Sequence, residues 1–522
     1  MPRLLSKNNS QNAFYWPELG QVRPGQRYID KTINIGINLP PKNYYDEEGL
    51  FNDLAKTASV MELFGNTIDP SNLDANGYVL SNPSTSTNDH AYSYISQMNW
   101  FKSGVSPAEW VMLWDGEGDP SFFGSADLTV NSSTSGRIQF TVNSPGQLKV
   151  RIANINASNH LKNLRIIPLS QEANPTLINS VWLDIWNGLS TLRYLDPQEI
   201  NSKSDTVNRP WLNTLSEWAD RPIDNYYGAQ DTGMSIEEIV RISNETDTNP
   251  WILIPHRATN EFIQNTAAYI FANLNSHLNV YVEYTNEPWN YLFGQTQWLL
   301  YNVSPGYDSA VYNFDQVAYE YATRASNCMT QFLNQFPEKG RVTRVFGTKF
   351  WGTSYVEDIE AIDASILYNF DMLAVGYYIG SAYANDNNPT WTKQDYIDAL
   401  NTQLEGDAVT YIKHHKSVAQ KYGMRLGAYE AGQHLVNGTL DQTYIDLFAE
   451  VNADPQMRTF YKKMVDLWFQ HGGSELLFFN SSDIEFGTLR SQSDDLTTSY
   501  KYQGLQDALY EQRVNTTNRV VA

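Results

Sequence analysis

The sequence predicts an α/β fold: a (β/α)8 TIM barrel with a small β-sandwich domain inserted after its first βα unit. Three observations predict it. Strand-like and helix-like stretches alternate from about residue 175 to the end, and with one early strand they bring the strand number to that of a closed parallel barrel. The stretch between that early strand and residue 170 is instead rich in Ser, Thr, Asn and Gly, with short alternating runs. No Gly-rich phosphate fingerprint follows an early strand, which disfavours an open doubly wound sheet.

Taken in order, residues 1–31 read as a polar N-terminal arm, and 32–72 as the first βα unit of the barrel. In that unit, Thr32–Leu39 (TINIGINL) is a strand and Gly49–Ser59 a helix with one apolar face, closed by breakers at Pro70 and Asn72. Residues 73–170 form the inserted β-sandwich. Within it Arg137–Val142 and Gln147–Ile152 alternate with period two around Asn143-Ser144-Pro145-Gly146, a hairpin pattern. Residues 171–522 supply the rest of the barrel. The expected strands are Ser190–Leu195, Pro250–Pro255, Asn279–Tyr284, Arg341–Gly347, Phe370–Tyr377, Arg425–Tyr429 and Glu475–Phe479. Helical patterns lie between them, including Gln394–Tyr422, expected to be broken, and Leu440–Gln470, broken near Pro455.

Composition narrows the function. The net charge is −22, from 58 acidic and 36 basic residues, and a chain without a basic field is a poor nucleic-acid partner. The same charge disfavours strongly anionic polysaccharides unless the cleft is locally basic. There are 14 Trp and 33 Tyr, side chains whose flat faces and polar tips suit sugar rings, though any large protein also buries aromatics. The single cysteine, Cys328, lies in a helical pattern and reads as a small apolar residue. No membrane span and no signal-peptide core is found. The expectation is a soluble protein, cytoplasmic or carried on a phage particle, with oligomeric state open and assembly into a larger particle one route.

The chemistry concentrates at two strand ends. Tyr281-Val282-Glu283-Tyr284-Thr285-Asn286-Glu287-Pro288-Trp289-Asn290 delivers an Asn-Glu pair into a Pro-Trp-Asn turn after the fourth strand, and Tyr429-Glu430-Ala431-Gly432 ends the seventh. Barrel enzymes carry catalytic groups at these carboxyl ends. Glycoside hydrolysis needs two carboxyl groups facing one bond, about 5–5.5 Å apart for retention and about 6.5–9.5 Å for inversion. Glu283 shares strand parity with Glu287 and reads as a supporting residue. His256 and His434 follow strand ends, where a cleft role and a structural role compete. Asp115-Gly116-Glu117-Gly118-Asp119 spaces three acids like a calcium loop but lacks the later bidentate Glu, so it reads as an acidic turn. No zinc spacing and no Gly-x-Ser-x-Gly elbow is present, and neither metal nor cofactor is expected.

The Asn-Glu-Pro pattern on strand 4 with a Glu on strand 7 resembles clan A of the glycoside hydrolases. More narrowly, Trp218-Ala219-Asp220-Arg221-Pro222, Ile254-Pro255-His256, the Glu287 segment and Tyr429-Glu430-Ala431-Gly432 resemble bacterial proteins known only as glycosidase-like, over roughly 35–500. The resemblance implies Glu287 as acid/base, Glu430 as nucleophile, and Asn286 on the sugar 2-hydroxyl. It also implies Arg193 beside the nucleophile, a strand-6 tyrosine (Tyr377 or Tyr378) near it, and retention of configuration. The clan's strand-8 Trp platform is missing, since the run is Phe478-Phe479-Asn480, and Trp218, Trp289 or Trp351 are the substitutes. The expected function is O-glycosyl hydrolysis of a poly- or oligosaccharide. The rival is a non-catalytic carbohydrate-binding or virion-associated structural protein, and a transglycosylase would use the same residues.

Overall fold

The computed structural model describes residues 34–63, 66–82, 91–102, 104–201, 215–228, 233–303, 314–352, 355–386, 388, 390–436 and 442–520. The arm expected over 1–31 lies outside the described residues. Eight parallel strands close into a barrel: β1 (Asn34–Asn38), β2 (Thr191–Arg193), β3 (Asn249–Ile254), β4 (Val280–Tyr284), β5 (Val342–Thr348), β6 (Met372–Ile379), β7 (Arg425–Gln433) and β8 (Glu475–Phe478). Sequence neighbours pair throughout, and β1 closes the ring between β2, with Gly36 opposite Thr191, and β8, with Asn34 opposite Glu475. At Gly36 a Cβ would lie 2.4 Å from the Thr191 carbonyl oxygen, so this closure needs glycine.

The strands are apolar on both faces because both are covered. Outward residues Ile252, Ile254, Val280, Val282, Leu373 and Val375 join the main core with helix residues such as Ile239, Ile270, Phe332 and Val465. Inward residues Trp251, Leu253, Tyr281, Val345, Met372, Ala374, Tyr429 and Leu477 form a separate core inside the barrel. The helices follow their local signals. Ile236–Thr246 starts on a Ser235/Glu238 capping box and stops at Asp247 in a left-handed conformation. The helix expected over 394–422 runs as Lys393–Gln403 and Val409–Lys421 joined by a π-turn, and Pro455 separates Gln442–Asn452 from Gln456–Gln470. No helix among the described residues is long and apolar enough to cross a membrane.

Between β1 and β2 the chain forms two antiparallel sheets, of four and five strands. They share one core, with Trp110, Met112 and Phe140 from one sheet meeting Ile95, Val150 and Ile152 from the other. Two expectations are corrected here. Arg137–Ser144 and Leu148–Ala153 are not a hairpin. The first pairs with Glu109–Asp115 and Asp127–Thr134, the second with Ala91–Ser96 and Asp119–Gly124. The Pro145-Gly146 link therefore crosses between sheets, which lets both apolar faces enter the shared core. The helix expected at Gly49–Ser59 is a single 3-10 turn, Leu54–Lys56. Asp53 caps it at Ala55 N (3.0 Å) and also accepts Ile166 N (2.9 Å), so the turn is tied to a sheet strand instead of extending into a helix.

Candidate active site

The carboxyl ends of the strands surround a cavity of about 410 Å³, and both candidate carboxylates line it. Glu287 arrives on a turn that leaves β4 with Thr285 at φ +52° and Glu287 itself at φ +40°. Such conformations are uncommon for non-glycine residues and persist where the surroundings over-determine them. Here Gln295 Nε2 donates to the Asn286 carbonyl (2.8 Å), Thr296 Oγ1 to the Glu287 carbonyl (3.2 Å), and Thr285 N to Ile254 O (3.1 Å). The helix Gly294–Val303 thus helps hold the turn that aims the carboxyl.

The partners of the Glu287 carboxyl are neutral. The Tyr429 hydroxyl donates to Oε1 (2.9 Å) and Asn290 Nδ2 to Oε2 (2.9 Å). Burial, and then the negative charge of Glu430, push its pKa up to about 7. Glu430 is held differently. Arg193 Nη1 donates to its Oε1 at 2.7 Å, and the Tyr378 hydroxyl donates to its Oε2 at 2.9 Å. One carboxyl is thereby suited to carry a proton near neutrality, and the other is held by a fixed cation.

Arg193 is saturated. Besides Glu430 it reaches Glu283 through Nε (3.1 Å) and Nη2 (3.0 Å), Asn38 Oδ1 through Nη1 (3.0 Å) and Asn286 Oδ1 through Nη2 (2.8 Å). Glu283 is buried within the barrel and also accepts from Trp251 Nε1 (2.8 Å), so it anchors the guanidinium from below. The planar fork suits this divergent set in a way a lysine ammonium would not.

A β-bulge sets Glu430. Val375 pairs with Ala428, but the next residue, Gly376, pairs with Glu430, so Tyr429 is the extra residue in β7. Tyr429 packs in the core inside the barrel, while Ala428 and Ala431 face the helices. Tyr429 and Glu430 therefore both serve the cavity, which simple alternation forbids. Gly376 leaves the room: a Cβ there would sit 2.8 Å from the Tyr429 hydroxyl oxygen.

The other expected residues divide. Asn286, Trp289, Tyr378, His434 and Trp351 line the cavity. Asn286 turns its Oδ1 to Arg193 and its Nδ2 to Asn201 (3.0 Å). Tyr377 faces the helices, packed on Phe350 and Trp468, so Tyr378 is the strand-6 tyrosine that meets Glu430. Trp218 does not line the cavity, because Arg221 lies 3.8 Å over its ring and Phe262 packs at its edge. Nor does His256: its ring packs on Trp298, its carbonyl accepts from the Tyr284 hydroxyl (2.6 Å), and burial drives its pKa down to about 4. The acids of the 115–119 loop accept amide N–H bonds instead, Asp115 from Asn163, Glu117 from Asn156 and Asn159, and Asp119 from Asn154.

Sequence reasoning passed over several cavity residues. Tyr429 was hidden by the bulge. Asn290, though inside the quoted motif, gave no signal apart from its turn position. Asn201, Lys349, Phe479 and Phe486 also line the cavity. Asp196, just beyond Arg193, has its pKa raised to about 7 by burial and by Glu430.

No protein-family model matches this chain, and no curated protein sequence matches it. Among solved structures it is similar to the N-terminal modules of an endo-1,4-beta-D-xylanase from Clostridium thermocellum complexed with xylohexaose (TM-score 0.37, 11% identity, 90% of this chain and 96% of that one). It is also similar to a broad specificity endoglucanase from Clostridium acetobutylicum (TM-score 0.36, 12% identity, 64% and 91%). A third is a beta-glucosidase from Thermotoga maritima (TM-score 0.35, 12% identity, 65% and 85%).

Proposed function

We propose that this chain is a glycoside hydrolase that cleaves O-glycosidic bonds of a poly- or oligosaccharide with retention. The observation that carries the reading is the unequal treatment of two carboxyl groups in one cavity. Glu287 has only neutral donors and a pKa raised to about 7, whereas Glu430 is bound by Arg193 and Tyr378. Pairs whose environments separate their protonation behaviour mark acid and base assignments.

In this mechanism protonated Glu287 gives its proton to the glycosidic oxygen as the bond to the anomeric carbon breaks. A Glu430 carboxylate oxygen attacks that carbon from the other face, and a glycosyl ester forms. Glu287, now a carboxylate, takes a proton from the water that attacks the same carbon, and Glu430 leaves as carboxylate. Asn286, oriented by Arg193 and Asn201, binds the sugar hydroxyl next to the anomeric centre. Trp289, Trp351 and Phe479 supply apolar faces for sugar rings.

The test is release of reducing ends from a broad panel of polysaccharides and aryl glycosides by wild type, Glu287→Gln and Glu430→Gln. Turnover by wild type that falls by about 10²–10⁴-fold in each variant is the expected result. Proton NMR of the first-formed anomer checks retention. Turnover equal in wild type and both variants, or none on any glycan, would overturn the proposal.

A further inference from the structure

Lys349 stands out among the residues that line the cavity. It follows β5, where Val345 faces the barrel core and a Cβ on Gly347 would look toward Glu283 and Trp289. The next residue on that face is Lys349. It is half-buried, lines the cavity, and has no hydrogen bond or ion pair to any described residue. Lys42 is paired with Glu238 (2.9 Å) and Lys56 with Asp224 (3.2 Å), and the buried Lys501 at least reaches the Glu485 carbonyl (3.5 Å). With 58 acids against 36 bases in the chain, a partner would have been easy to supply.

The other cation nearby cannot serve a ligand, because Arg193 is consumed by Glu283, Glu430, Asn38 and Asn286. His434 also lines the cavity, but burial lowers its pKa and so disfavours its cationic form. Lys349 is therefore the cavity's one available positive charge among the described residues. Two indoles line the same cavity. Trp289 is fixed against Tyr355 and Tyr429, and Trp351 is fixed by donating Nε1 to the Tyr378 carbonyl (2.9 Å). A cavity that offers one positive charge and two indoles suits a sugar that carries an anion.

We infer that Lys349 binds an anionic group (carboxylate, sulfate or phosphate) on the sugar that departs under Glu287. The departure rests on the hydrolase reading, whereas binding of the anion by Lys349 does not require it. The placement rests on adjacency: Lys349 follows β5, which pairs with β4, whose end carries the proposed acid, and both residues line the cavity. The net charge of −22 does not oppose a single substituent, because fields beyond about 8 Å are screened at physiological salt. It does oppose a densely charged polyanion, so the substrate carries isolated acidic groups on an otherwise neutral chain.

The experiment is calorimetric binding to Glu287→Gln protein, with and without Lys349→Met or Lys349→Arg. The ligands are oligosaccharides bearing uronate, sulfate ester or phosphate ester groups, each beside its neutral counterpart. Preference for one acidic class over its counterpart, reduced roughly 10- to 100-fold by Lys349→Met and restored by Lys349→Arg, is expected, and the class preferred identifies the anion. That preference should shrink as salt rises. If wild type cleaves nothing yet the preference depends on Lys349, the hydrolase reading falls and this inference stands. If wild type cleaves neutral glycans and acidic ones bind no better, this inference falls and the hydrolase stands. Binding of no glycan, or a preference unchanged in Lys349→Met, also overturns it.

Discussion

Replacing Tyr429 by Phe isolates one contact. The ring stays, and with it the packing against Trp289 and the position 5.0 Å from the Arg193 guanidinium. Only the hydroxyl that donates to Glu287 Oε1 is lost. That bond favours the ionised carboxyl, so its loss must raise the Glu287 pKa further above its present value of about 7. A hydrogen bond to a charged group contributes about 1.5–3 kcal/mol, and 1.36 kcal/mol corresponds to about one pKa unit. The protonated carboxyl keeps part of the bond, so the difference between the two states is about half the total, and the shift is about one unit. The assay is kcat/KM against pH on whichever glycoside the panel identifies. The alkaline limb, where protonated Glu287 is lost, should move up by about one unit in Tyr429→Phe. An unmoved limb, or one that moves down, would refute the assignment of Glu287 as the proton donor.

Two further perturbations test the same geometry. Glu287→Gln should stabilise the fold most above pH 7, because a carboxyl whose pKa rises from 4.5 to about 7 on folding makes the native state lose stability as pH climbs through that interval. The gain has an upper bound of about 3 kcal/mol and should vanish toward pH 4, which thermal melts at several pH values will show. Gly376→Ala places a methyl 2.8 Å from the Tyr429 hydroxyl oxygen, and should cost about 1–3 kcal/mol in urea unfolding and lower kcat by displacing the Glu287 donor.

The barrel was legible because parallel strands covered on both faces read as apolar runs, and each is separated from the next by helical periodicity with its own caps. Glu287 and Glu430 were legible as acids at strand ends. The rest depended on partners that a single sequence does not display. Tyr377 and Tyr378 sit side by side, and only the register of β6 against β7 decides which one turns inward. The Tyr429 bulge exists because Val375 and Gly376 are consecutive opposite Ala428 and Glu430, which no local pattern announces. The Gly49–Ser59 periodicity looked helical, but Asp53 satisfies a sheet N–H more than a hundred residues away. Trp218 and His256 carry suitable chemistry, yet Arg221 and Trp298 occupy their faces.

Arg193 serves two masters, the buried Glu283 beneath it and Glu430 above. On the hydrolase reading, copies of this chain that drift toward inactivity would therefore decay in a set order. Losing Glu430 would silence the chemistry while Glu283 continued to anchor the guanidinium, and such a copy would still fold. Losing Arg193 first would strand a buried carboxylate in the barrel, and that lineage would be removed by misfolding before its lost activity mattered. A retired descendant should thus be recognisable by an intact Arg193–Glu283 pair beneath an empty position at 430.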